Sequence, residues 1–441
     1  MAFTPAHLLQ ILIDQPSPRR YLIALSGGCD SIALLHAMAA IRDELPAELV
    51  AVHVNHGLQA DASVWAVHCA EICQQLDIAL IQVVLNLQLA KGDSLEAVAR
   101  EARYNAIREH VVAGDMLLTA QHQDDQAETI LLQLLRGSGP SGLAAMPQLA
   151  FFGVGFHARP LLIFTRKQLY EYAVEQGLAW VEDASNLDRR FDRNFLRQEI
   201  MPLLSQRWPA MTRTLSRSAR HCAEAQQLID GMAVSDLEMI EQAGGTLSVQ
   251  GLIALSAPQC RAVLRVWIQR EGFLLPDTQH LDRIQTEMLK AALDRNPLIR
   301  WSNCELRRYR DGLYLMPQLS PHDPKIVLDW DGQSALQLPA NQGILTAGKG
   351  NKGVDPARWQ DGKIEIRFRQ GGERCCLVGR KHSHSLKKLL QDQGVPPWER
   401  DRIPLVYIDN QLAAVAGLWV CEPFSTPNKQ PGVTLHLLKH P

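Results

Sequence analysis

The sequence predicts a mixed α/β protein, with an N-terminal parallel sheet covered by helices, a helical α+β middle portion and a small α+β C-terminal portion. Three observations carry that expectation. Short apolar runs alternate with long helical patterns over roughly the first 180 residues, the pattern of a parallel sheet covered on both faces. Polar, chemistry-bearing residues follow the ends of three of those runs, where ligands bind in such sheets. The 441 residues also exceed one usual domain of about 100–200 residues, so two or three domains are expected.

Taken in order, Pro5 to Gln15 reads as a short helix stopped by Pro16 and Pro18. Leu22 to Leu25, Leu49 to Val54, Ile78 to Val84 and Met116 to Ala120 are the apolar runs expected as strands. Helices are expected from Ile32 onward, over Ala62 to Leu76, over Ser94 to Val112 and over Thr165 to Gln176, the last capped by Thr165. Gly137 to Gly142 holds too many breakers for a helix interior and reads as a flap or a surface loop. From Leu203 to Ile240 the helical pattern has little break. Gln259 to Glu271 and Thr278 to Leu293 are amphipathic, and Cys304 to Met316 resembles a hairpin turning at Asp311-Gly312. Ile364 to Arg369, Ile403 to Ile408 and Leu412 to Trp419 read as strands, with a basic helix from Ser385 to Gln393. The expected division is 1–215 catalytic, 216–246 helical linker, 247–317 middle domain, 318–360 irregular linker or boundary, whose brief strand-like runs also read as an irregular β segment, and 361–441 C-terminal domain.

Hydrophobic residues make up 46% of the chain, enough for real cores. The formal charge of −2 hides two basic stretches, Arg189 to Arg220 and Lys363 to Lys388, which suit a polyanion or a solvated face. Arg374, Arg380, Lys381, Lys387 and Lys388 belong to the second. No leader-like segment or bilayer-length apolar run is evident, so a cytoplasmic protein with no membrane partner is expected. The nine cysteines show no framework spacing and are expected to be reduced.

The chemistry concentrates in Ser26-Gly27-Gly28-Cys29-Asp30-Ser31, set between the first strand and its helix. Two glycines allow a sharp turn, and the following helix N-terminus offers N–H donors and positive dipole to phosphate. Asp30 would repel phosphate unless Mg²⁺ lay between them, so nucleotide plus metal is the expected ligand. A Walker A loop needs a longer glycine-rich turn and a Lys, and a dinucleotide fingerprint needs other spacing; neither is present. His53 to His56 follows the second strand. His122, Asp124, Asp125 and Glu128 follow the fourth, where one acid suffices as a cap and the others are left for metal or amine. Arg193 and Arg197, one helical turn apart, are placed to face one anionic site, while Glu96 and Arg100 are expected to pair.

The loop resembles that of the ATP pyrophosphatase superfamily. With His53-Val54-Asn55-His56-Gly57-Leu58, His122-Gln123-Asp124-Asp125-Gln126-Ala127-Glu128-Thr129, Glu182-Asp183-Ala184-Ser185-Asn186, Arg193-Asn194-Phe195-Leu196-Arg197 and Gly379-Arg380-Lys381-His382 in order, the chain is similar to the bacterial tRNA(Ile)-lysidine synthetase family over nearly its whole length. The resemblance implies an ATP-dependent ligase forming a carbon–nitrogen bond. It would adenylate C2 of cytidine 34 in the CAU-anticodon isoleucine tRNA, then join free L-lysine to form lysidine, releasing diphosphate and AMP. Ser26, Gly27, Gly28, Cys29, Asp30, Ser31 and His53 would bind ATP, with Asp30 on Mg²⁺. Asp124, Asp125 and Glu128 would take lysine; Asp30, Asp125, Glu128 and Arg193 would act in catalysis; Arg197 and the five basic residues named above would contact tRNA. A tRNA thiolase is the nearest rival, and an inactive RNA-binding module the next. A homodimer and a monomer are equally compatible with the sequence.

Overall fold

The computed structural model describes residues 2–55, 57, 62–85, 95–183, 188–292, 295–351, 353–379, 382–426 and 430–438, the side chains of 95–97 excepted. Two compact units divide the chain, Met1–Ile229 and Asp230–Pro441. The first is built on a six-stranded sheet. Its strands are β1 (Arg20–Ala24), β2 (Glu48–Asn55), β3 (Ala79–Val84), β4 (Asp115–Leu118), β5 (Leu149–Phe152) and β6 (Gly155–Ala158), in the order β3-β2-β1-β4-β6-β5. All pairs are parallel except β5 with β6. Leu22 of central β1 lies opposite Val50 of β2 and Leu117 of β4, and all three are buried, as expected of a strand covered on both faces.

Helices α1 (Pro5–Ile13), α2 (Cys29–Ala40), α3 (Ala62–Gln75), α4 (Leu95–Glu109), α5 (Gln123–Leu135), α6 (Pro140–Leu143) and α7 (Arg166–Glu175) surround the sheet. α2 buries Ile32, Ala33, Leu34, Leu35, Ala37 and Met38, because α1 and α7 pack on the helix that the sheet already covers. That leaves little room for amphipathic spacing. Truncating the fully buried Leu34 to Ala should cost about 2–5 kcal/mol through lost burial and a cavity. The chain then runs through α8 (Asp192–Phe195), a π-helical turn over Leu196–Ile200, α9 (Met201–Arg207) and α10 (Met211–Ile240).

Three expectations are corrected here. The β5–β6 hairpin lies in a stretch left without strands; its Phe-rich runs turn at Gly153, whose φ of +60° suits glycine. The long helical pattern breaks between α9 and α10, where Pro209 keeps Trp208 out of the helical region, at φ −127° and ψ 82°. Gly137 to Gly142 is not wholly irregular, since Pro140 starts the single turn α6 at a position that needs no N–H.

In the second unit the segment after α10 packs helices Val249–Ala254, Ala257–Arg270 and Thr278–Arg283 on a five-stranded sheet around buried Trp267, Leu281, Ile284, Leu306 and Leu313. The expected hairpin is present, Cys304–Tyr309 pairing with Gly312–Pro317. Residues 318–360, expected as a boundary or an irregular β segment, contribute short strands to the C-terminal sheets. Leu328 pairs with Ile366 and Ile344 with Leu438. A second difference concerns the thiols: Cys375 and Cys421 form a disulfide, with Cα atoms 5.7 Å apart. A neighbouring bridge between Leu377 and Cys421 brings those segments together, which a separation of 46 residues hides from sequence spacing.

Candidate active site

The loop from Ser26 to Ser31 closes on itself. Ser31 Oγ donates to Gly28 O at 2.9 Å and accepts from Ser26 N–H at 3.2 Å, and the two hydroxyls lie 3.0 Å apart. Gly27 has φ +86°, and a Cβ there would meet Cys69 Sγ at 3.3 Å, so glycine answers both the backbone and the packing. No side chain caps α2, which leaves the N–H groups of its first turn for an anion. His53, at the end of β2, holds the loop entrance through Nδ1 to Leu25 O at 2.8 Å. Burial pushes its pKa down, so it is neutral with a bare Nε2, and that nitrogen is buried without a partner.

Asp30 reaches across to α5. Its Oδ2 lies 3.5 Å from His122 Nε2, while its Oδ1 is buried and unpartnered. An orphaned carboxylate oxygen beside an anion cradle suits a divalent cation. Among the described residues no group of three or more His, Cys, Asp or Glu surrounds a metal point. Mg²⁺ fits such a site, because it is commonly held by one or two carboxylates plus substrate phosphates.

His122 caps α5. Its Nδ1 accepts from Asp125 N–H at 3.3 Å while Asp125 Oδ2 accepts from His122 N–H at 3.0 Å, a reciprocal capping box. Burial pulls the imidazole pKa down, but Asp125, Asp30 and Asp124 together carry it above its ordinary value. The Nε2–H tautomer satisfies both demands, keeping the Nδ1 lone pair for the cap and a proton toward the two carboxylates. Asp124 Oδ2 accepts from Arg166 N–H at 2.8 Å, tying α5 to α7.

Asp125 and Glu128 lie one turn apart on α5 and meet Arg193 and Arg197. Arg193 donates through Nε to Glu128 Oε2 at 2.8 Å and through Nη2 to Asp125 Oδ1 at 3.1 Å. Arg197 donates through Nε to Glu128 Oε1 at 2.7 Å and through Nη2 to Asp125 Oδ1 at 3.1 Å. Burial opposes the ionised form of Asp125, but His122 and the two guanidiniums hold its pKa below the ordinary value. Each guanidinium keeps its Nη1 without a protein acceptor among the described residues. The π-helical turn that carries Arg197 follows directly on the α-turn that carries Arg193.

The loop, His53, the three acids and both arginines are thus on one unit, linked through Asp30 and His122. Arg374, Lys387 and Lys388 lie on the other unit. Arg374 is tied to Ser383 O at 2.6 Å, while both lysines are exposed on the helix Leu386–Asp392. Arg380, Lys381, the Glu96 side chain, His56, Leu58 and Ala184 to Asn186 lie outside the described residues. Sequence reasoning missed a directed chain next to the site. Arg159 donates to His157 Nδ1 at 3.0 Å, and His157 Nε2–H faces Thr119 Oγ1 at 2.8 Å. Thr119 in turn donates to Gln121. The one available signal was the polar run after β4.

The cysteines near the loop are not poised for sulfur chemistry. Burial, with Asp30 beside it, pushes the Cys29 thiol to about 11; burial, with Cys73 beside it, pushes Cys69 to about 12. Such thiols stay protonated. Among the described residues no helix is long and apolar enough to cross a membrane.

A parallel sheet whose first crossover carries an uncapped, glycine-turned phosphate loop defines an ATP-using PP-loop domain, and the PP-loop domain family matches residues 4–204. The TilS substrate binding domain matches 247–314 and the TilS substrate C-terminal domain matches 364–437. A tRNA(Ile)-lysidine synthase from Coxiella burnetii is 45% identical over 98% of this chain and 96% of its own length. One from Methylococcus capsulatus is 42% identical over 94% and 95%. A U34-tRNA thiolase structure from Methanococcus maripaludis covers 50% of this chain and 78% of that one at 17% identity and a TM-score of 0.43, too low to bear on function. The chain belongs to the tRNA(Ile)-lysidine synthase family.

Proposed function

We propose that this chain is an ATP-dependent tRNA(Ile)-lysidine ligase of the cytoplasm, acting on cytidine 34 of the CAU-anticodon isoleucine tRNA with free L-lysine. Asp30 facing His122, with one buried oxygen unspent, is the observation that carries this reading, because it joins a phosphate loop to a charged cluster suited to an amine and an anion. Ser26, Gly27, Gly28, Cys29 and Ser31 cradle the phosphates through the loop and the first turn of α2, and His53 accepts a hydrogen bond from the nucleotide. Asp30 holds Mg²⁺, which when bound neutralises the diphosphate being released.

Attack of the cytidine O2 on the α-phosphate breaks the bond to diphosphate. The lysine ε-amine then attacks C2, breaks the bond to AMP and loses a proton. Both steps need alignment and charge neutralisation more than covalent help. Arg193 and Arg197 turn their free Nη1 groups to the phosphate, and as they are drawn there Asp125 and Glu128 gain capacity for the lysine ammonium, with Asp124 beside them. Lysine therefore binds better after the nucleotide than before it. The chain divides into a catalytic portion near 1–215, a middle substrate domain and a C-terminal tRNA-binding domain that includes Arg374, Arg380, Lys381, Lys387 and Lys388.

Incubation with ATP, Mg²⁺, labelled lysine and the unmodified CAU-anticodon isoleucine tRNA tests the reading. Label should enter that tRNA. No incorporation overturns the reaction, and incorporation into methionine tRNA overturns the specificity.

A further inference from the structure

In the second unit a cavity of about 500 Å³ opens between the strands Leu298–Trp301 and Cys304–Tyr309 and the segments around Ser320 and Trp398. Arg300, Arg307 and Arg402 line it. One carboxylate answers them: fully buried Glu305 accepts from Arg307 Nε at 2.7 Å and from Arg300 Nε at 3.1 Å, so both of its oxygens are spent. Arg402 gives Nη2 to Ser320 O. The terminal Nη groups of Arg300 and Arg307, and Nε and Nη1 of Arg402, have no protein acceptor among the described residues. Trp398 Nε1 is likewise buried without a partner.

An arginine that serves only the fold looks different. Neighbouring Arg308 donates its Nη1 to the carbonyls of Met288, Leu289 and Ala291 at 3.0, 2.8 and 2.9 Å. The cavity arginines keep their forks open. Arg307 is also held in place, since its guanidinium lies 5.3 Å from the Trp398 ring centroid. Three guanidiniums against one carboxylate leave a charge of about +2, and planar guanidinium forks suit phosphate oxygens.

We propose that this cavity is a phosphate-binding site that takes one phosphodiester of an RNA backbone, with the Trp398 N–H as an additional donor. The volume admits the attached sugar as well as the phosphate. The RNA source rests on the tRNA reading above, whereas the phosphate chemistry does not.

The test uses the full chain with Arg300→Gln and Arg402→Gln combined, which leaves the Arg307–Glu305 pair in place; circular dichroism and melting confirm the fold. Filter binding of the isoleucine tRNA across a salt series should show roughly tenfold weaker binding near 0.15 M salt and a slope shallower by about one for each phosphate no longer neutralised. Trp398→Phe, which removes only the N–H donor, should give a smaller loss. Calorimetry with inorganic phosphate and with AMP separates the sources. Unchanged tRNA affinity and slope in the folded double variant overturn the site, and AMP binding that needs these arginines while tRNA binding does not overturns the RNA assignment. Wild-type protein with an arginine-dependent slope but no lysine transfer would sink the proposed reaction and leave this site standing.

Discussion

Arg193 Nε lies 2.8 Å from Glu128 Oε2, and the carboxylate it meets is only 2% exposed. Arg197 meets the other oxygen of the same group at 2.7 Å. A buried acid bridged by two guanidiniums adds little over an apolar contact when intact, but removing it leaves two charges short of a partner. Glu128→Ala should therefore destabilise the fold by about 3–5 kcal/mol and Glu128→Gln by clearly less, as read from urea unfolding. Equal and small losses for both would mean that the arginines find other partners.

Asp30→Asn should keep the melting temperature and remove most ATP-dependent diphosphate release, since the amide cannot replace the charge proposed to hold Mg²⁺. Asp125→Asn, in contrast, should impair incorporation of labelled lysine more than diphosphate release, because a carboxylate attracts an ammonium and does nothing favourable for phosphate. Loss of both steps to the same degree in Asp125→Asn would move that residue to the metal or to the arginines alone.

How far the sequence reached into this site depends on how local each signal was. Ser26 to Ser31 was legible because strand, turn and helix follow within one short stretch, and the start of α5 near Asp124 and Asp125 was legible too, but the cap expected from an acid is His122, with Asp125 at the third helical position. The pairing of Arg193 and Arg197 with Asp125 and Glu128 was not: each spans more than sixty positions, and the arginines read equally well as facing phosphate. The Cys375–Cys421 bond and the pairing of Leu328 with Ile366 failed for the same reason, since partners across a sheet leave no periodic trace. The β5–β6 hairpin is a different case, with its turn at Gly153 present in the sequence and passed over.

The His157 chain gives a pH signature. Burial, with Arg159 and Arg100 beside it, lowers this imidazole from 6.5 to about 3. The unfolded chain takes up a proton near 6.5 that the folded chain refuses until about 3, so the stability from this residue is complete above 6.5 and is lost as pH falls through that window. Wild type should lose up to about 1.4 kcal/mol per pH unit more than His157→Gln there. Parallel pH dependences in the two proteins would show that His157 stays charged or solvated in the folded state.

Cys69 and Cys73 are buried on α3, and their thiols are raised to about 12 and about 11 by burial. Cys69→Ala with Cys73→Ala should leave lysine transfer intact at a modest cost in stability, since both behave as small apolar groups. A folded double variant that adenylates nothing would restore the sulfur-transfer reading.

Lys387 and Lys388 project from a helix whose Leu386, Leu389 and Leu390 are buried in the C-terminal core. That anchoring leaves two adjacent ammonium groups exposed on a fixed element, with Arg374 tied to Ser383 nearby in sequence. Phosphate contacts of this kind position a substrate without reading its sequence. Lys387→Gln with Lys388→Gln should weaken binding of isoleucine tRNA and of unrelated tRNAs by similar factors, and should flatten the salt dependence by up to about two in slope as fewer counterions are released. Turnover at saturating tRNA should stay near wild type, because the two side chains lie outside the catalytic unit and change only occupancy. Unchanged affinity and slope would assign these lysines to solvent, and a fall in saturated turnover would mean that they do more than position the substrate.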